Sequence, residues 1–400
     1  MRSQRDYIVT KDEVYGYANE WLTSALRLEY EGTQCTTRTL FAVLLIAASR
    51  VVSIFAACRD LAEAPSDQTI RNALAATLPE IGELERRLNR ALATKLPKAL
   101  WRKARPVAID LTLIPYHGQP ARDANEIYRG APKSGTTHFH AYATAVVVHK
   151  GYRYTLALVH VEHGEKMEQV VQRLLGILRR RAIKVKFLLL DKGFFSVAVL
   201  SYLKRAGHGF IVPACVRGRK PKDSKPATGL RALLKKPNGY YRHTLTGKVQ
   251  GKPRRTRLTI CVANKDYRHA KTGKRRRKKL LYAVWKVRRT PREIRETYRK
   301  RFGIETSYRQ MNEARVRTST RDPRQRLLFV GIALVLRNVW VWLHFKLAKR
   351  KGEDEPQLFL ELLRFKELLL WITQVVQRLL RADQNPGIHR ATYQRLTAMK

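Results

Sequence analysis

The order of apolar segments between residues 101 and 213 constrains the fold more than any other feature. Three stretches rich in β-branched and aromatic residues come first: RPVAIDLTLIPYHG, HFHAYATAVVVH and GYRYTLALVHVE. A helical stretch, the apolar run KFLLLD, a second helical stretch and the strand-like GFIVPA follow. This β-β-β-α-β-α-β order predicts an α/β fold with a mixed sheet flanked by helices, since a helical crossover makes two strands parallel.

The segments on either side of residues 101–213 have a different residue pattern. Helical periodicity dominates residues 1–100 and predicts an N-terminal all-α domain. Within a core predicted at residues 101–320, three short strand-like segments and basic stretches such as KTGKRRRKK indicate a β-rich insertion at 214–289. A C-terminal helical region is expected at 321–400. From the end of the insertion to the end of the chain, the pattern predicts three helices: Thr290–Asn312, Arg324 to about Lys346, and Pro356 to about Arg381.

One part of the N-terminal domain has the pattern of a DNA-reading motif. The segment VVSIFAACRDLAEAPSDQTIRNALAATL predicts a helix, a break at Ala64 and Pro65, and a second helix with Ser66 as its N-cap. In a helix-turn-helix the second helix, which carries Arg71, would face the major groove. An ordinary packed helix pair has the same pattern, and the sequence does not separate the two.

The charge of the chain points to a polyanionic partner. The sequence has 80 Lys and Arg against 32 Asp and Glu, a formal net charge of +48. Repulsion among so many like charges does not stabilise a fold. Cations placed near phosphates, in contrast, release condensed counterions and so increase the affinity for a nucleic acid. Nucleic acid is therefore the leading partner, with a basic structural protein or a polycation on membranes as the alternative.

A membrane setting is not expected. Leu327–Leu347 is long and apolar enough to mimic a span, but Arg337, Asn338 and His344 interrupt it, which favours a helix buried in protein. The first residues lack an apolar signal region, and the four cysteines are far apart without a C-x-x-C pair. We expect a cytoplasmic, nucleoid-associated protein.

Two aspartates stand out in this acid-poor chain. Asp110 interrupts the first predicted strand, AIDLTL, and Asp191 ends the apolar run LLLD. A carboxylate in such a strand is costly unless it is paired or bound to a metal. The strand order allows the two strands to be neighbours, so their carboxylates could share divalent cations, Mg²⁺ or Mn²⁺ for hard oxygen ligands.

A third carboxylate is expected from the helix near residue 300. Tyr298, Arg301, Glu305 and Asn312 are separated by three, four and seven positions and so lie on one helix face. The alternative is a surface i, i+4 ion pair between Arg301 and Glu305, which would contribute little energy.

The segments AIDLTLIPYHG, LLLDKGFFS and YRKRFGIETSYRQMNE resemble the three catalytic boxes of the insertion-sequence DDE transposases. The closer likeness is to the cut-and-paste branch marked by Y-x-x-R-x-x-x-E-x-x-x-x-x-x-K. The resemblance covers roughly residues 101–345, including the RNVW run, and implies an RNase H-like core with a β-rich insertion before the last catalytic helix.

The resemblance also implies the roles of the residues. Asp110, Asp191 and Glu305 would be the catalytic residues and would bind two Mg²⁺ or Mn²⁺ ions, and Tyr298 and Arg301 would contact phosphate at the transposon end. Asn312 stands where the signature has lysine, so that DNA contact is lost or shifted. The basic residues that could take it over are Arg309, Arg315 and Arg317.

The implied activity is metal-dependent cleavage at transposon ends and strand transfer into target DNA. The implied partners are double-stranded DNA with terminal inverted repeats, the target DNA, and a second copy of the chain in a synaptic homodimer. Two other readings remain: a structure-specific nuclease with the same core, and a non-catalytic DNA-binding regulatory or architectural protein.

Weaker site candidates are histidines, two glutamates and a tryptophan. The histidines could form a metal site, the glutamates could replace Glu305, and the tryptophan could stack on a displaced base, although ordinary polar and core positions look the same. These residues are His138, His140, His160, His163, Glu162, Glu165 and Trp285.

Overall fold

The computed structural model describes residues 8–149, 152–221, 225–268, 270, 272–347 and 358–382. The chain divides into two compact units. The first contains residues 1–91, 310–340 and 359–400, and the second contains residues 92–309 and 341–358.

The helices, in chain order, are α1 (Lys11–Leu26), α2 (Thr37–Arg50), α3 (Ile54–Arg59), α4 (Asp67–Thr77), α5 (Ile81–Leu92), α6 (Ala99–Arg102), α7 (Met167–Arg180), α8 (Val197–Arg205), α9 (Gly229–Ala232), α10 (Pro291–Arg299), α11 (Gly303–Asn312), α12 (Pro323–Leu347) and α13 (Phe365–Leu379). The strands are β1 (Arg105–Pro115), β2 (Tyr128–Lys133), β3 (Thr136–His149), β4 (Tyr152–Val161), β5 (Val185–Leu190), β6 (Phe210–Pro213), β7 (Gly239–Val249), β8 (Lys252–Arg268) and β9 (Arg275–Trp285).

In the first unit, apolar helices pack around α2, α12 and α13. Residues 40–48 of α2 are all buried, and 94% of the most apolar window of α12 is buried inside the protein. That helix alone, in the described part of the chain, is long and apolar enough to cross a membrane. The buried Arg337 of α12 donates from Nε to Oε1 of Gln310 at 3.0 Å. A buried charge needs such a partner, because it is otherwise costly to remove from water. The expectation of a buried core helix is confirmed.

The candidate helix-turn-helix segment folds as two helices with a long break. Helix α3 ends at Arg59, and α4 begins after Ser66, whose hydroxyl accepts from the Thr69 amide at 3.1 Å as the predicted N-cap. The break between the helices is longer than the three or four residues common in DNA-reading motifs. The DNA-reading role stays a prediction.

In the second unit, the described strands form one mixed sheet in the order β2-β3-β1-β5-β6-β9-β8-β7, with β4 also paired to β3. Strand β1 is antiparallel to β3 and parallel to β5, and β5 is parallel to β6. The predicted α/β architecture, a mixed sheet flanked by helices, is confirmed.

The strands predicted as an insertion extend this same sheet. Strand β9 pairs antiparallel with β6, and β8 and β7 follow outward. Strands β8 and β9 are longer than the apolar patterns indicated, because their basic ends continue the pairing as far as Arg268 opposite Arg275. Strand β2 was not predicted, since YRGAPK is almost wholly exposed and has no apolar alternation.

One face of the sheet is covered by the helices that precede and contain Glu305. Ala108 of β1 and Leu189 of β5 belong to an apolar cluster with Ile294 and Ile304. Because side chains alternate along a strand, residues two positions further on point to the same face. The residues concerned are Asp110 and Asp191.

The packing of α12 allows a test of the first unit's core. Gly331 lies against the fully buried Leu88, and a Cβ at residue 331 would overlap that side chain. We expect Gly331→Ala to destabilise the protein by about 1–3 kcal/mol, because the close-packed core must shift. A lower midpoint in thermal or urea unfolding would be the measure.

Gly16→Ala is the matched control for this change. Gly16 is an exposed residue of α1, and no atom lies within 4 Å of the added Cβ. Helix propensity alone then makes alanine more stable by about 0.5–1 kcal/mol. Equal effects of the two substitutions would contradict the packing described for Leu88.

Candidate active site

Asp110 and Asp191 lie side by side because two parallel strands are in register. Ile109 of β1 pairs with Leu190 of β5, and each aspartate is the next residue along its strand. Asp110 is also opposite Thr144 of β3. The sequence-based expectation that these two strands are neighbours is confirmed.

Glu305 reaches the same place from the helical cover. Helix α10 begins with a capping box of Thr290 and Glu293 and with Pro291 in its first turn. A 3₁₀ turn, Lys300–Phe302, then separates α10 from α11, whose first turn contains Glu305. The single helix predicted from Thr290 to Asn312 is therefore wrong at this turn, where the chain tightens around the buried Arg301.

The three carboxylates converge on the guanidinium of Arg301. Nη1 of Arg301 is 2.9 Å from Oδ2 of Asp110, and Nη2 is 3.1 Å from Oδ1 of Asp191. Nη2 is also 3.7 Å from Oε1 of Glu305. Arg301 and Glu305 are an i, i+4 pair, as the spacing predicted, but they belong to a network with both aspartates that is centred on the buried Arg301.

The site is open on one side. The exposed fraction of the side chain is 6% for Arg301 and 14% for Asp110, against 43% for Asp191 and 55% for Glu305. An incoming ligand would therefore meet Asp191 and Glu305 first, while Asp110 forms the floor.

The donor set fits a hard divalent cation. Three carboxylates that face a common point supply the oxygen ligands that Mg²⁺ and Mn²⁺ prefer. In the described residues, however, no group of three acidic, histidine or cysteine side chains lies close enough for joint coordination. The three carboxylates lie around the guanidinium of Arg301.

The electrostatics of Asp110 follow from its position. Burial raises the pKa of Asp110 to about 6, and the Arg301 guanidinium opposes that rise. The neighbouring Asp191 adds to it by like-charge repulsion.

Similarity to a known family agrees with this arrangement. The sequence model described as "Transposase DDE domain" matches residues 101–338, which is more than half of the chain. The chain belongs to this family of transposases. Membership implies an enzyme of nuclease or transposition chemistry whose substrate is DNA and which uses divalent metal ions. No curated protein gives a significant match.

Two tyrosines of this transposase tie the helices to the strands that carry the aspartates. The buried hydroxyl of Tyr298 in α10 donates to the carbonyl of Leu190 at 3.3 Å, one residue before Asp191. The hydroxyl of Tyr308 in α11 donates to the carbonyl of Asp110 at 3.0 Å and lies 2.8 Å from Oγ1 of Thr144. Burial raises the pKa of both tyrosines, so they stay neutral donors.

Sequence reasoning missed Tyr308. A usable signal was present, because Tyr308 lies three residues after Glu305 and so shares its side of the helix. Tyr298 was predicted to contact phosphate. It lies instead beneath the site with its hydroxyl bonded to the main chain, and the phosphate contact stays a prediction.

The remaining predicted DNA contacts are on the surface. Arg309 and Asn312 are exposed residues of α11, and the Asn312 side chain accepts from Arg315 at 3.3 Å. Arg71 is an exposed residue of α4 that pairs with Asp67 at 2.5 Å. Their roles in DNA binding stay predictions.

The weaker candidates do not join the three carboxylates. His140 packs edge-on against Tyr116 and His160 packs against Tyr142. Glu165 pairs with Arg173 at 2.7 Å. Burial, with a smaller contribution from Arg173, lowers the pKa of His160 to about 4, so that histidine is neutral.

Trp285 belongs to the sheet rather than to an open aromatic surface. It pairs with Phe210 across β9 and β6, and the two rings stack with centroids 6.3 Å apart. The Lys286 ammonium lies 4.6 Å from the centroid of the Trp285 ring. This half-buried packing is that of a structural tryptophan.

The raised pKa of Asp110 predicts how stability depends on pH in metal-free buffer. The folded protein binds this proton more tightly than the unfolded chain does, where the pKa is near 3.8. The stabilisation is fully present below that pH and is lost as the pH rises through about 6. Asp110→Asn removes this loss.

We therefore expect the stability of Asp110→Asn, relative to wild type, to increase between pH 4 and pH 7 by up to about 3 kcal/mol. Thermal unfolding of both proteins in a chelator, across that pH range, measures the difference. A difference that does not change with pH would contradict the burial described for Asp110.

Proposed function

We propose that this transposase cleaves DNA at transposon ends and transfers the freed strand into target DNA. The observation that carries the proposal is the convergence of Asp110, Asp191 and Glu305 on one point at the open edge of an RNase H-like sheet. Three carboxylates placed together repel one another, and burial adds to the cost at Asp110, so their convergence marks a candidate functional site.

Asp110, Asp191 and Glu305 are the residues that would hold two Mg²⁺ or Mn²⁺ ions. When bound, such ions supply activation of a water or 3′-hydroxyl and stabilisation of the leaving oxygen. The chain's own residues fix the ligands: Tyr308 anchors α11 to the main chain of Asp110, and Tyr298 anchors α10 beside Asp191. No side chain is needed as a nucleophile.

A basic β-ribbon supports binding of DNA next to this centre. Strand β7 accompanies β8 only as far as Val262, whereas β8 and β9 remain paired to Arg268 and Arg275. Residues 264–268 and 275–279 therefore form a two-stranded extension, which we call the distal ribbon. Arg295 of α10 donates to the carbonyl of Asn264 at 2.8 Å and holds the base of the ribbon to the helix that leads to Arg301.

The two faces of the distal ribbon have the same net charge but differ in their other side chains. Cross-strand partners lie on the same face, so Lys265 and Lys278 share one face with Tyr267 and Arg276. On the other face, Arg277 is paired with Asp266 at 2.7 Å. The first face has exposed cations and an aromatic ring, which suits a phosphate backbone.

The remaining parts of the proposal come from the sequence and the family. The substrate is double-stranded DNA with terminal inverted repeats, bound by a homodimer in the synaptic complex. Residues 1–100, with Arg71, would form a DNA-binding domain. Tyr298 and Arg301 would contact phosphates at the transposon end. Arg309, Arg315 or Arg317 would take over the contact of the signature lysine that Asn312 replaces. The protein would act in the cytoplasm on the nucleoid.

Isosteric changes in the three carboxylates test the assignment. We expect Asp110→Asn, Asp191→Asn and Glu305→Gln each to lower the rate of Mg²⁺-dependent cleavage of end DNA by more than about a hundredfold, because loss of a direct ligand exceeds the effect of losing an outer partner. DNA affinity should be kept. Gel-based cleavage and binding assays measure both.

Glu162→Gln is the control, because Glu162 is an exposed carboxylate outside the cluster. Normal cleavage by Asp191→Asn, or loss of cleavage in Glu162→Gln with Glu305→Gln still active, would show that the assignment is wrong. Cleavage without joining in a strand-transfer assay would instead indicate a nuclease.

The distal ribbon is tested by the salt dependence of DNA binding. Lys265→Gln with Lys278→Gln should lower the slope of log affinity against log salt by about 2, since each lysine at a phosphate contributes about one unit. The control pair, Lys184→Gln with Lys186→Gln, removes equal charge at the start of β5, away from Asp191. Equal slopes for the two double variants would contradict a specific role of the ribbon.

A further inference from the structure

The single guanidinium of Arg301 forms ion pairs with three carboxylates. Nη1 contacts Asp110, and Nη2 contacts both Asp191 and Glu305. These are all the acidic groups of the proposed metal site. The positive charge therefore lies where the three negative charges converge.

The surroundings of Arg301 hold the guanidinium incompletely. Its Cζ lies 5.6 Å from the ring centroid of Tyr298 and 5.5 Å from that of Phe302, so aromatic rings pack against it. The buried Nε has no hydrogen-bond partner among the described residues. Phe302 is exposed and belongs to the same 3₁₀ turn as Arg301. One side of the guanidinium is therefore covered by a side chain at the surface.

A guanidinium that contacts one oxygen of each carboxylate competes with divalent cations for the same negative charges. An ion coordinated by the oxygens that face Nη1 and Nη2 would lie close to the guanidinium, and the two cations would repel each other. While Arg301 contacts the three carboxylates, no group of three acidic, histidine or cysteine side chains among the described residues is arranged to hold a metal ion.

We propose that Arg301 is an internal competitor of the catalytic metal ions, so that the site is loaded only when the guanidinium is displaced from the carboxylates. The proposal rests on the function proposed above, which makes these carboxylates the metal ligands. Arg301 thus sets the metal concentration at which the centre assembles. Once displaced, its guanidinium is free to meet a DNA phosphate, the role that the sequence resemblance implies.

Metal binding to the full-length chain without DNA tests the competition. Mn²⁺ binding, measured by calorimetry and by the loss of the free-ion electron paramagnetic resonance signal, should be at least about fivefold tighter in Arg301→Gln than in wild type, the lower end of usual coupling between two ligands. Glutamine retains a polar side chain but removes the competing charge. In a chelator, the same variant should unfold at a lower temperature, because three carboxylates are left without their counter-cation.

Arg299→Gln is the matched control. Arg299 is the last residue of α10, two positions from Arg301, and is exposed. Arg299→Gln removes one positive charge from the same segment. Any general electrostatic gain in Mn²⁺ affinity should therefore appear in Arg299→Gln as well as in Arg301→Gln. We expect its affinity to stay within about twofold of wild type, as for exposed charges in high dielectric.

Arg301→Lys keeps the test usable if the glutamine variant does not fold. An ammonium is a point charge that lacks the planar fork of arginine and cannot contact all three carboxylates equally. Its Mn²⁺ affinity should lie between those of wild type and Arg301→Gln. A purely structural arginine would instead give weaker Mn²⁺ binding in both variants, since the ligands would lose their arrangement.

Two outcomes would overturn the proposal, and they have different meanings. If the Mn²⁺ affinity of Arg301→Gln or Arg301→Lys equals or falls below that of wild type, Arg301 does not compete with the ions. The proposed function is not affected by that result. Mn²⁺ binding that is absent, or unchanged by Asp191→Asn, in every variant contradicts the metal site itself and with it the proposed function.

Discussion

The parallel pairing of β1 with β5 is the constraint on which the site depends. Pairing Ile109 with Leu190 forces Asp110 and Asp191 to emerge as neighbours on the face that α10 and α11 cover. Two carboxylates so close together repel each other, and burial adds to the cost at Asp110. The helical cover therefore has to supply a cation, and the 3₁₀ turn delivers Arg301.

Much of the second unit could be predicted from the sequence because its strands have unambiguous patterns. The run KFLLLD is apolar throughout and short, as a strand buried on both faces must be, and the aspartate at its end was conspicuous. The exposed β2 and the basic ends of β8 and β9 could not be predicted, since main-chain pairing rather than apolar alternation creates them.

The arrangement around Arg301 also lay beyond the sequence. An i, i+4 spacing of Arg301 and Glu305 is common on solvated helices, where such a pair contributes little. Only the tertiary fold brings Asp110 and Asp191 to the same guanidinium, and only the fold turns Tyr308 towards the Asp110 main chain. In the proposed centre, three acids in a strongly basic chain contact one internal cation, which would compete with the ions that the acids bind.

Anomalous diffraction from crystals of the full chain soaked in Mn²⁺ tests the central claim most directly. The account predicts anomalous peaks about 2.2 Å from carboxylate oxygens of Asp110, Asp191 and Glu305, with the Arg301 guanidinium moved away from them. Manganese bound elsewhere, or an Arg301 that still contacts all three carboxylates in saturating Mn²⁺, would contradict it.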